Sequence, residues 1–97
     1  MFKITKIVDI DTNKEKDLKE LENCCIYIKF LEVPKFNIPL HILYETWGGT
    51  FKELVTSPIK EVREERLTDA DDPNNVRCIS YVIITKENIY YIEGNEQ

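Results

Sequence analysis

Histidine, cysteine, glycine and arginine are all scarce in this chain, and each scarcity removes a class of chemistry. His41 is the only histidine, so a catalytic triad or most zinc sites would have to be assembled around one imidazole. Cys24, Cys25 and Cys78 are odd in number and show no repeated spacing. That usage fits a reducing cytoplasm better than a disulfide framework. Adjacent cysteines on a strand point to opposite faces, which keeps Cys24 and Cys25 from sharing one metal. Buried structural cysteines are the expectation, and nothing local pairs a thiol with His41 as nucleophile and base. Gly48-Gly49 lacks the further glycines, the lysine and the strand-to-helix setting of a phosphate loop.

Long apolar runs are missing too. The first ten residues, MFKITKIVDI, carry no cleavage-site pattern. Neither a secretion signal nor a membrane span is expected, and the chain reads as cytoplasmic. Arginine is sparse and the net charge is -5. An acidic chain repels phosphate backbones, so sequence-independent nucleic-acid binding is disfavoured. The excess lies late, where Glu61, Glu64, Glu65, Asp69, Asp71 and Asp72 outnumber Arg63 and Arg66. Such a stretch suits a basic patch on a partner protein, although a solvated face that aids solubility is the commoner use of it. Ala70 is the only alanine, and isoleucine, lysine, glutamate and asparagine are abundant. That bias points to an AT-rich coding genome, such as that of a low-GC bacterium or its phage.

What is present is strand-forming sequence. A chain of 97 residues with 42% hydrophobic content reads as one domain, 1–97, with a modest core. Its clearest element is Val76 to Glu93, VRCISYVIITKENIYYIE, dense in β-branched and aromatic residues. It predicts a hairpin turning at Thr85-Lys86-Glu87-Asn88, with Asn88 at positive φ. In that register Ile84 faces Tyr90, Ile83 faces Tyr91 and Val82 faces Ile92. Both faces are apolar, so both need cover, from the rest of the chain or from a second copy.

Upstream, Phe2 to Ile10 predicts a first strand with Phe2, Ile4 and Val8 on one side. Lys14 to Asn23 shows helix formers with Leu18 and Leu21 as a thin apolar stripe, and a long hairpin connection is the competing reading. Cys24 to Val33 predicts a second strand. Trp47-Gly48-Gly49-Thr50 predicts a second hairpin with a two-residue turn. Its pairs would be Glu45 with Lys52, Leu43 with Leu54, Ile42 with Val55 and Thr46 with Phe51. One face would then hold Leu40, Ile42, Tyr44, Phe51 and Val55. Ser57-Pro58 resembles a helix start, with Ile59, Val62, Arg66 and Leu67 near one face; a charged edge strand is the alternative. Residues 68–75, TDADDPNN, read as a loop.

Two acidic patterns invite a metal. Asp9, Asp11, Asn13, Glu15, Asp17 and Glu20 overlay the ligand positions of a calcium loop, but Lys14 replaces the turn glycine and Lys16 the apolar anchor. Asp69, Asp71 and Asp72 could hold a hard cation, yet beside Pro73 they read more simply as a polar loop. Neither carries a metal or cofactor assignment. Trp47, at a hairpin tip, either tucks into the core or serves as an exposed contact. The five tyrosines pose the same choice, and without basic surroundings they do not suggest base stacking.

These observations predict an α+β domain: an antiparallel sheet of five or six strands, built from two hairpins and the first two strands, under one or two short helices. Two apolar faces and so little helix make a homodimer an expectation. No catalytic set is visible, so an enzyme is the least supported class. The leading reading is a small acidic protein-interaction module, an inhibitor or an immunity or anti-defence protein. Trp47, Glu61, Glu64, Glu65, Asp69, Asp71 and Asp72 would contact its partner. The alternative is a small-ligand or nucleotide binder with an aromatic pocket at a dimer interface.

Overall fold

The computed structural model describes residues 2–22, 24–27, 36–68, 71 and 76–94. Six antiparallel strands run in chain order around a closed barrel: β1 (Phe2–Asp9), β2 (Ile26–Tyr27), β3 (Pro39–Glu45), β4 (Phe51–Thr68), β5 (Val76–Thr85) and β6 (Asn88–Gly94). β6 closes the circle by pairing with β1, Phe2 opposite Gly94 and Asp9 opposite Asn88. The fold is therefore all-β, and the α+β expectation is overturned. Among the described residues the helical content is one 3-10 turn, Lys19–Leu21, and no helix is long and apolar enough to cross a membrane.

Both expected helices fail for the same reason: strand edges offered more than local propensity did. Glu15 bridges to Val8, and Lys16 N–H donates to Ile7 O at 2.7 Å. This extends β1's pairing into the region read as helical. Leu18 and Leu21, three apart, suit a 3-10 turn as well as an α-helix, and Leu21 reaches the core at 8% exposure. Residues 58–67 are strand, because β5 needs a partner for its inner face: Val62 pairs with Ile83. Pro58, read as a helix-starting proline, lies in β4 opposite Pro39. A proline inside a sheet belongs at an edge or bulge, and register shifts fall on either side of it, between Pro39 and His41 and between Ile59 and Glu61. There β4 bends from β3 to β5. Bulges at barrel rims do this, and the stagger they allow lets a sheet close.

Closure supplies the cover that helices were expected to give. The inward faces meet in one core of Ile4, Ile7, Ile26, Leu40, Ile42, Tyr44, Ile59, Ile79, Tyr81, Ile83, Tyr90 and Ile92, with Leu21 and Cys24 at its margin. A shift in register at Thr5 allows Ile4 and Ile7, three apart, to point inward together.

Both hairpins are present, each one residue away from its predicted register. In the last hairpin Ile83 pairs with Tyr90 and Tyr81 with Ile92. Tyr81, Ile83, Tyr90 and Ile92 therefore share the inside, and Val82, Ile84, Ile89 and Tyr91 share the half-buried outside. Asn88 does not adopt positive φ; the turn is closed by the Thr85 hydroxyl, which donates to Asn88 O at 2.7 Å. In the β3–β4 hairpin Thr46 N–H donates to Thr50 O, and Gly49 N–H to Thr46 O, both at 2.9 Å. Gly49, at φ 78°, supplies the left-handed residue that such a three-residue loop requires. The pairs are then Glu45 with Phe51, Tyr44 with Lys52 and Ile42 with Leu54. Slipping by one residue turns the strand over: Leu54 and Thr56 face inward, while Phe51 and Val55 face out.

Candidate functional site

That inversion leaves apolar side chains on the outer face of β2–β4. Tyr27 on β2 pairs with Leu43 on β3, and Leu43 with Glu53 on β4. On the same outer face Glu45 pairs with Phe51 and His41 with Val55. Tyr27, Leu43, Phe51 and Val55 are 41–55% exposed, side by side on three neighbouring strands. Trp47, at the end of the β3–β4 hairpin, is 87% exposed. Of the two fates a tip tryptophan has, it takes the outward one. Isolated exposed apolar residues are ordinary; these four are grouped on one face beside His41, Glu45 and Glu53.

The face has internal order. The Tyr27 and Phe51 rings meet at 6.0 Å between centroids, tilted by 54°. The Tyr27 hydroxyl donates towards Glu45 Oε2 at 3.5 Å. Loss of surrounding water, and after it the Glu45 carboxylate and the Cys25 thiol, raise the Tyr27 phenol above its ordinary value of 10.0. It therefore stays a protonated donor at neutral pH. His41 Nδ1 lies 2.9 Å from Glu53 Oε1. At the hairpin end, Cys24, Cys25, Glu45, Thr46 and Trp47 line an open hollow of about 240 Å³.

The acidic residues singled out from the sequence lie elsewhere. Glu61 binds Arg63 twice, at 3.0 and 3.3 Å, and Glu64 binds Arg66 Nε at 2.8 Å. Alternation along β4 puts Glu61 and Glu65 on one side and Glu64 on the other. Asp71 is exposed; Asp69 and Asp72 lie outside the described residues. Trp47 lies in the β3–β4 turn, whereas Glu61, Glu64 and Glu65 lie in the part of β4 that pairs with β5, past the register shifts on either side of Pro58. The structure thus gathers Tyr27, Leu43, Phe51 and Val55 but does not bring Trp47 to Glu61, Glu64 and Glu65. No family model, curated protein or solved structure matches the chain.

Asp9, at the head of the acidic pattern, serves a turn. Asp9 Oδ1 accepts N–H bonds from Asp11 at 2.9 Å and Thr12 at 3.0 Å. Asn13, at φ 60°, takes the left-handed place that a calcium loop gives to glycine one residue later. Among the described residues no group of three or more His, Cys, Asp or Glu is arranged to hold a metal. None of Cys24, Cys25 and Cys78 is disulfide-bonded.

Asp9 yields a pH prediction. The Thr12 N–H bond foremost, then that of Asp11 and the Lys16 charge, hold its carboxyl below 3.8 against a partial loss of water. A depressed folded value means that the carboxylate's stabilisation is fully present above 3.8, the unfolded value, and is lost as pH falls through the lower folded one. Thermal unfolding of wild type and Asp9→Asn across acid pH is expected to show a constant gap well above 3.8 that narrows below it. A gap that widens on acidification would contradict the turn's role.

Proposed function

We propose that this chain is a small protein-binding module that acts by occupying a partner's surface. It presents the outer face of β2–β4 to that partner, with Phe51, Tyr27 and Trp47 as anchors. The observation that supports this reading is the clustering of Tyr27, Leu43, Phe51 and Val55 on one exposed face. Aromatic residues in the centre of a patch dominate binding energy at protein interfaces. The net charge of -5 favours a partner with a basic rim, and Glu61, Glu64 and Glu65 on β4 contribute to the field that steers encounter. An inhibitor or immunity-type protein works in this way, without chemistry of its own.

The test is a photo-crosslinking residue placed at Phe51, and at Lys86 on the opposite hairpin turn as control, in the cell that encodes the chain. One protein is expected to be captured from position 51 and not from 86. It should then bind the purified chain in a defined ratio. Phe51→Ser is expected to weaken that complex by about tenfold or more, with little change in thermal midpoint because the ring is already half exposed. Unchanged binding by both Phe51→Ser and Trp47→Ser would sink the assignment of this face.

A further inference from the structure

The same face specifies a chemistry as well as a location. Aromatic faces are electron-rich and attract cations. Tyr27 and Phe51 are 49% and 55% exposed, so the pair retains accessible ring surface. Carboxylates flank it: Glu45 opposite Phe51, and Glu53 two residues from Phe51 along β4 and opposite Leu43, the partner of Tyr27. Glu45 is turned towards the Tyr27 hydroxyl, and His41 holds Glu53 from the far side.

On the β1–β6 exterior the chain makes the corresponding contact with itself, Lys6 Nζ standing 5.4 Å from the centre of the Tyr91 ring. On the β2–β4 face, rings and carboxylates offer a partner's cation the same kind of contact. A second copy of this chain is a poor source. A two-fold interface centred on this face would set Glu45 and Glu53 against a face carrying the same two carboxylates, and like charges brought close are costly. An arginine side chain is the better match, because its planar guanidinium stacks on a ring while its N–H groups reach carboxylates at the edge.

We propose that Tyr27 and Phe51, with Glu45 and Glu53, form a receptor for an arginine side chain of the partner protein. The proposal rests on the protein-binding reading above and narrows it to one contact. It is tested by amide NMR of the full chain titrated with a capped Gly-Arg-Gly peptide and with its citrulline analogue, which keeps the shape and removes the charge. Shifts are expected around Tyr27, Glu45, Phe51 and Glu53. Affinity for the arginine peptide should be about two- to fivefold higher than for citrulline. That preference should fall in Glu45→Gln/Glu53→Gln, whose spectrum reports separately on its fold, and vanish when Phe51→Ser is added.

Equal affinity for the two peptides, or shifts centred on Glu61–Glu65 instead, would overturn the proposal. If the peptides fail to differ while crosslinking at position 51 still captures a partner that Phe51→Ser weakens, the arginine receptor falls and the protein-binding face stands. If both experiments fail, both readings fall.

Discussion

Ile83→Ala is expected to cost about 3 kcal/mol of folding stability, within the range for emptying a core isoleucine site. Ile83 is 0% exposed. It lies in the middle of β5, paired on one side with Val62 and on the other with Tyr90. Each neighbour is held in a hydrogen-bonded ladder, so the walls of the cavity have little freedom to collapse. Small domains have about 5–15 kcal/mol in all, so this one change removes a large part of the total. Ile83→Val deletes one methylene and should cost about 1 kcal/mol. Val82→Ala, on the half-buried outer face, should cost less than Ile83→Ala. Urea titration of the three variants checks the order. If Val82→Ala were the more damaging, the observed register of the last hairpin would be wrong, since the predicted register puts Val82 and Ile84 on the face of Tyr90 and Ile92.

That comparison locates what was legible in the sequence. β-Branched and aromatic density marked the strand positions from Val76 to Glu93, and glycine marked the turn at 48–49. Neither signal carries register. In a period-two pattern apolar on both faces, as in VIITKENIYYIE, a shift of one residue leaves the apolar count on each face almost unchanged. The deciding interaction is the Thr85 hydroxyl closing a tight turn, a side-chain bond that propensity does not record. For the β3–β4 hairpin the choice lay between a two-residue loop and a three-residue loop with a left-handed third position, and the paired glycines suit both. The two-residue loop puts Phe51 and Val55 in the core and hides the candidate site, of which the sequence marks Trp47 and leaves Tyr27 open.

The expected helices that do not form have a similar origin. Ser57-Pro58 is a reasonable helix start considered locally. What local reasoning cannot contain is that β5 presents Tyr81 and Ile83 to the barrel interior and needs a strand alongside. Tertiary pairing overrides a marginal helix whose apolar stripe is only a few residues wide. The serine, proline and threonine around that point remain informative, because they build a polar joint at one end of the barrel.

At that joint Thr85→Val is expected to cost about 2–3 kcal/mol although it buries no less carbon. Thr85 is 0% exposed. Its hydroxyl donates to Asn88 O at 2.7 Å and accepts from Asn88 N–H at 3.1 Å and from the Ser57 hydroxyl at 2.8 Å. One donor and two acceptor sites are all in use. Valine keeps the shape and leaves three partners to find water in a partly buried turn, where each unmade bond costs about 1–3 kcal/mol before relaxation. Ser57 extends the joint by accepting Glu87 N–H at 2.9 Å, and Pro58 O accepts Lys86 N–H at 3.0 Å. Ile10 N–H donates to Glu87 O at 3.0 Å. The turn between β5 and β6 is thereby fastened to β4 and to the end of β1, across the barrel seam. Ser57→Ala should cost less, about 1 kcal/mol, because the Glu87 amide is exposed and water replaces its acceptor. The double variant should cost less than the sum of the two by roughly 1 kcal/mol, as it does for residues sharing a hydrogen bond. Strict additivity in urea unfolding would show that the two hydroxyls do not act together.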